Sequence, residues 1–187
     1  ALQEAGQAHE AQRPGVRLVF NFGASGALAS QIEQGAPVDI FASANQEHMD
    51  RLARQGLLLA PTRRDFAANS LVLIQPVDGA ALRGPQDLLG PQVRRLALGD
   101  PGTVPAGQYA RQALTSLGLW EALQPKLVLG ADVRQVREYV LRGEVEAGLV
   151  FASDMARKPG AEPARARVAL TLDPKLHQPI LYPAAVL

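Results

Sequence analysis

Cysteine is absent from all 187 residues, which excludes a disulfide framework, a thiolate metal centre and a cysteine nucleophile together. Aromatics are scarce, at 5% of the chain, and neither sign of charge prevails: 19 Lys and Arg against 18 Asp and Glu leave a formal +1. The basic residues are scattered, so the one-signed stripe that nucleic acid or an anionic membrane requires is missing. Long apolar runs are missing too. The longest, at 71–74 and 147–152, fall far short of the roughly 20 residues of a membrane-spanning helix. The sequence has no initiating Met and no basic-then-apolar leader, and is expected to be a processed or trimmed product.

What is present is the composition of a globular protein, 47% hydrophobic with 17 Gly and 14 Pro, and a length that suits one large domain or two small lobes. Residues 1–12 place Leu2, Ala5 and Ala8 at helical spacing before Pro14-Gly15. Residues 16–22, VRLVFNF, read as a strand, and the turn 23–26 leads into a helix with Leu28 and Ile32 one turn apart. A short strand at 38–42, a helix at 45–55 and a strand at 69–75 follow. The tract 76–91 is rich in Gly, Pro and turn residues, and is a candidate crossing between lobes.

Beyond it the alternation restarts. Strands are expected at 95–98, 126–129 and 147–151, and helices at 105–117, around Trp120 and at 132–141. A strand near 168–172 and an apolar run at 179–186 close the chain, the latter able to return to the first lobe. Strands alternating with amphipathic helices predict an α/β protein with mainly parallel sheets flanked by helices. The expected lobes are 1–75, joined by 178–187, and 76–177.

Four places bring a strand end or turn to a helix N-terminus, where unpaired backbone N–H groups and the helix dipole favour an anion. The first is Gly23-Ala24-Ser25-Gly26, whose small residues admit a ligand and whose Ser25 adds a hydroxyl. The second runs from Gly99 to Gly107, with Pro105 suited to a first helical position and the Ala106 N–H directed outward. Asp132 as a cap with the Val133 N–H makes the third, and Phe151-Ala152-Ser153-Asp154 the fourth. Taken singly, Ser25 and Asp132 read more simply as plain helix caps. Together, the four sites lie beyond the carboxyl ends of strands, where open α/β sheets bind ligands, and they suggest a cleft between two lobes.

Enzymatic readings are poorer. His9, His48 and His177 show no metal-ligand spacing and read as solvated structural positions. Asp39, Asp100, Asp132 and Asp154 lie near strand ends, but as caps and turn formers they need no acid/base role. No Gly-rich dinucleotide or Walker pattern follows a strand.

The blocks FGASGALASQIEQGAPVDIFASA (22–44), NSLVLI (69–74), GDPGTVPAGQYARQAL (99–114), ADVRQV (131–136), GLVFASDM (148–155) and LYPAAV (181–186), in this order, resemble the periplasmic molybdate-binding component of the bacterial molybdate ABC transporter. The resemblance covers nearly the whole chain. It implies a type II periplasmic-binding-protein fold, in which two lobes close on a tetrahedral oxyanion, and a carrier rather than an enzyme. Carried over residue by residue, Ser25 matches the family's first-lobe serine, and Ala106 and Val133 match its backbone donors, flanked by Ala24, Gly26, Pro105 and Asp132.

The implied ligand is molybdate or tungstate, with no cofactor, no nucleic-acid partner, no insertion into the membrane and no metal beyond the molybdenum of the oxyanion itself. The implied partner is a membrane permease, the implied location the periplasm, and the implied state a monomer. Two departures stand out. Phe151 falls where the family most often has a tyrosine whose hydroxyl reaches the oxyanion. The family's opening strand and its serine have no counterpart before residue 1, nor have its helices beyond the LYPAAV block one after residue 187, so the first lobe is expected to be incomplete at both termini. The alternative reading is the effector-binding domain of a transcriptional regulator with the same fold.

Overall fold

The computed structural model describes residues 2–156 and 165–187, and its elements form two sheets with helices packed on them. Helix α1 spans Leu2–Gln12, α2 Ser25–Glu33, α3 Gln46–Arg54, α4 Pro105–Ser116, α5 Trp120–Leu123 and α6 Val133–Leu141. The strands are β1 (Ile40–Ala42), β2 (Arg64–Ala68), β3 (Leu71–Pro76), β4 (Leu96–Gly99), β5 (Leu127–Gly130), β6 (Ala147–Phe151), β7 (Ala166–Thr171) and β8 (Leu181–Val186). The smaller sheet runs β1-β8-β2 and the larger β5-β4-β6-β3-β7.

Strand direction departs from the expected mainly parallel arrangement. β8 is antiparallel to both neighbours, and β3 is antiparallel to both β6 and β7. Only β4 with β5 and β4 with β6 are parallel pairs among the described residues. The cause is topological. Parallel pairing needs a crossover helix, which α4 and α6 supply, whereas β3, β7 and β8 belong to segments that pass between the sheets.

The segment 16–22, expected as a strand, forms no ladder among the described residues. Alternating apolar side chains do not make a strand without a neighbour to take the backbone hydrogen bonds. Here the Leu18 N–H donates to the Glu10 carboxylate, Phe20 lies against Gly6 of α1 and stacks on Phe22, and Val19 is 87% exposed.

The tract 76–91 does not carry the crossing. The Gln75 side chain, fully buried, donates to the carbonyls of Gly79 and Ala80 and accepts from the Leu82 N–H. Leu82 and Leu88 then join the main apolar cluster. The chain passes from β2 in the smaller sheet to β3 in the larger at Asn69-Ser70. Asn69 Nδ2 donates to the Tyr182 hydroxyl at 2.6 Å and to Ser153 Oγ at 2.7 Å, and its N–H donates to the Ile180 carbonyl. Asn69 therefore holds the outgoing strand to the returning one.

Two clusters cover the faces of the larger sheet. Leu71, Leu73, Leu96, Leu98, Leu149 and Phe151 meet α4 on one side, and Val72, Ile74, Ala97 and Val150 meet Val136 and Val140 of α6 on the other. The alternation of β3 between these faces is the period-two pattern of a strand buried on both sides. A third cluster, of Ala29, Ile32, Phe41, Met49, Leu52 and Ala185, fastens α2 and α3 to the smaller sheet.

Candidate functional site

Because β4 is parallel to both β5 and β6, with Gly99 opposite Gly130 and Leu96 opposite Ala147, the three strands deliver their carboxyl ends to one edge of the sheet. The turns that follow emerge side by side, tied by the Asp100 N–H donating to the Gly130 carbonyl at 2.9 Å. The Asp100 carbonyl accepts from both Thr103 and Val104, and its carboxylate accepts from the Gly102 N–H. That winding feeds the chain directly into α4. Pro105 takes the first helical position and Val104 the cap, with no side-chain acceptor. The Ala106 N–H, in the first turn, thus has neither an intrahelical acceptor nor a cap.

At α6 the Asp132 carboxylate accepts from the Gln135 N–H at 2.8 Å, while the Gln135 side chain accepts from the Ala131 N–H at 2.7 Å. This reciprocal box leaves the Val133 N–H as a first-turn donor without an intrahelical acceptor. At the end of β6, Phe151 is 4% exposed and meets Tyr109 and Tyr182 edge-on, with ring centroids 6.2 and 5.8 Å away.

The Gly23–Gly26 turn arrives from the side of the other sheet. The N-terminus of α2 docks on the turn before α4 through the Gly26 N–H, which donates to the Thr103 carbonyl at 3.1 Å. Ala24 enters the same apolar cluster as Val104, Ala106 and Phe151, and Val133 packs against it. Ser25, 6% exposed, is the first residue of the helix rather than its cap. Its hydroxyl oxygen accepts from the Ala44 N–H at 3.0 Å, and the hydroxyl hydrogen is left to donate. The plain-cap reading of Ser25 is thereby replaced, whereas that of Asp132 stands.

Side-chain charge plays little part in this interior. The buried polar residues among those described are Ser25, Ser43, Asn45, His48 and Gln75, with no Lys or Arg. Arg134, next to Val133, lies over the Phe22 ring at 5.7 Å. Burial pushes the Asp154 carboxyl up, against the hydrogen bond it accepts from the Phe151 N–H. Burial also pushes the Tyr109 and Tyr182 hydroxyls up to about 12. Both tyrosines therefore present O–H groups, not phenolates, at neutral pH.

His48 corrects the expectation of a solvated position. It is 2% exposed, burial holds its pKa below the ordinary 6.5, and neither ring nitrogen has a hydrogen-bond partner. Of the others, His9 is exposed and His177 is partly buried beside Tyr109. The described residues contain no group of three or more His, Cys, Asp or Glu able to hold a metal ion. The parts of Thr103, Asn69 and His48 are not legible in the sequence because they depend on contacts between segments distant in the chain.

Residues 1–187 match the family of bacterial extracellular solute-binding proteins from end to end. The chain belongs to that family. Among its relatives the solute-binding protein is 34% identical to the molybdate-binding protein of Haemophilus influenzae, a match that covers 100% of this chain and 73% of the relative. To the molybdate-binding protein of Escherichia coli it is 38% identical, over 92% of this chain and 67% of the relative. Its fold is similar to that of the periplasmic molybdate-binding protein of Azotobacter vinelandii, with a TM-score of 0.85 and 25% identity, covering 99% of this chain and 79% of that one. All three of these relatives are molybdate-binding proteins.

Proposed function

We propose that this solute-binding protein captures molybdate, or tungstate of nearly equal size, between its two sheets and hands it to the membrane permease of an ABC transporter. The observation that carries the reading is the gathering of the α2, α4 and α6 N-termini at one place with no buried Lys or Arg among the described residues. A buried dianion without a cation is stabilised by oriented dipoles, and helix N-terminal N–H groups provide them. The Ser25 hydroxyl and the Ala106 and Val133 N–H groups are the proposed donors, with the Phe151 ring closing the site.

The two sheets are taken as the cores of two lobes. The first comprises the smaller sheet with α2 and α3, and includes the returning 178–187, and the second is the larger sheet with α4 and α6. The strand Leu71–Pro76, which pairs within the larger sheet, is grouped on this reading with the second lobe. Monomeric state and a periplasmic site of action follow from the same reading, and the relatives favour a carrier over the effector domain of a regulator.

Calorimetric titration with molybdate, tungstate, sulfate and phosphate tests the proposal. Molybdate and tungstate should bind tightly and sulfate, being smaller, much more weakly. Equal binding of molybdate and sulfate, or binding of neither, overturns it.

A further inference from the structure

Helix α2 is fastened to the smaller sheet, where Ala29 and Ile32 share a cluster with Phe41, Met49, Leu52 and Ala185. Thr103 belongs to the turn that feeds α4 on the larger sheet. Between them the Gly26 N–H donates to the Thr103 carbonyl at 3.1 Å. A Cβ on Gly26 would stand 2.6 Å from that oxygen and 3.0 Å from the Thr103 Cα. Both are backbone atoms, unable to swing aside as a flexible side chain does.

A side chain crowds the same Cβ position as well. His48 Cε1 lies 3.1 Å from the same Cβ position, and the imidazole is held there although neither ring nitrogen has a partner in the chain. Burying a polar ring without partners is unfavourable, so its packing on Gly26 is maintained against a cost. Arg51 steadies the same turn by donating to the Gly26 carbonyl at 3.3 Å and to Ser30 Oγ at 3.2 Å, while paired with Glu33.

Other contacts span the two sheets, such as Asn45 with Gln108 and Phe22 with Arg134, but each ends in side chains that can lengthen or rotate. Gly26 with Thr103 is main chain against main chain, with no side chain to rotate away.

We propose that the Gly26–Thr103 contact is the latch of the closed form, and that glycine at position 26 is what allows the two units to close. The inference rests on the anion-carrier reading for the ligand it serves, but it concerns the closure itself. Gly26→Ala should hold the cleft ajar without loosening either unit. Gly84→Ala is the control, since a Cβ there meets nothing within 4 Å.

Three measurements decide it. Small-angle scattering of the ligand-free chains should give Gly26→Ala a larger radius of gyration than wild type, with Gly84→Ala unchanged. Molybdate affinity should fall by roughly tenfold or more in Gly26→Ala alone, with its thermal stability close to that of the control. Should Gly26→Ala not fold, exchange of the Gly26 amide in wild type takes its place, where protection that strengthens with molybdate is expected. A Gly26→Ala protein with the wild-type radius, or a Gly26 amide exchanging freely in the loaded wild type, overturns the latch. If wild type binds no molybdate, the ligand assignment fails while the scattering and the unloaded amide still judge the closure.

Discussion

A Cβ on Gly107 would lie 1.9 Å from the carbonyl oxygen of Gly99, so the first turn of α4 rests directly on the end of β4. The sheet edge and the helix N-terminus are set by this approach, and with them the position of the Ala106 N–H. Gly107→Ala should destabilise the chain by about 3 kcal/mol, the upper part of the range for overpacking a tight contact. Urea denaturation measures the loss, and a change within about 0.5 kcal/mol, as for an ordinary surface substitution, would show that the approach can relax.

Ser25 is expected to serve both structure and ligand, and Ser25→Ala separates the two. Removing its oxygen leaves the Ala44 N–H without the acceptor it has now, at a cost of about 1 kcal/mol in stability for a group that is only partly buried. Loss of the hydroxyl donor to a charged ligand should cost about one to two decades in molybdate affinity. Lower stability with unchanged affinity would confine Ser25 to a structural part.

Phe151 has the opposite expectation. Its ring is wedged between those of Tyr109 and Tyr182, and Phe151→Tyr adds a hydroxyl at the ring's far end. One new hydrogen bond to an anion is worth about 1.5 to 3 kcal/mol, so affinity should rise roughly ten- to a hundredfold. Calorimetry reads the change, and unaltered affinity places the ring beyond reach of the anion.

His48 gives the chain an acid limb of stability. Burial depresses its pKa from the ordinary 6.5, so below that pH the unfolded chain binds a proton that the folded chain resists. Stability from this group is complete above about pH 6.5 and is lost as pH falls toward the depressed folded value. Glu47 and Glu33 oppose the depression and Arg51 reinforces it, but burial is the largest cause. Thermal denaturation from pH 8 to pH 5 should show the decline in wild type and a flatter profile in His48→Phe. Parallel profiles would assign the acid limb to other groups.

The sequence makes elements legible where periodicity and a stop signal agree. The apolar run of β6 and the cap-to-glycine spans of α4 and α6 are visible because burial on one face dictates residue type at fixed spacing. β2 is invisible for the converse reason. Its residues, RDFAA, are all exposed, and it exists because β8, more than a hundred residues later, offers a ladder with a shift in register near Phe66. The segment 16–22 shows the reverse error, an apolar alternation that meets no partner strand. Of the proposed site, the donors Ala106, Val133 and Ser25 can be picked out from helix starts alone. Thr103 and His48 cannot, because a carbonyl and an imidazole acquire their parts only when α2 meets the turn before α4.

The positive ends facing the proposed anion are made of peptide units, and every residue type except proline supplies the same N–H. Charge complementarity is therefore written into the path of the backbone and is untouched by most substitutions. Substitutions can therefore accumulate while the dipoles of the proposed capture stay the same. Divergence is then felt mainly where a backbone comes too close for a Cβ, and the glycines, not the charged residues, are the positions at which such a carrier is least free to change.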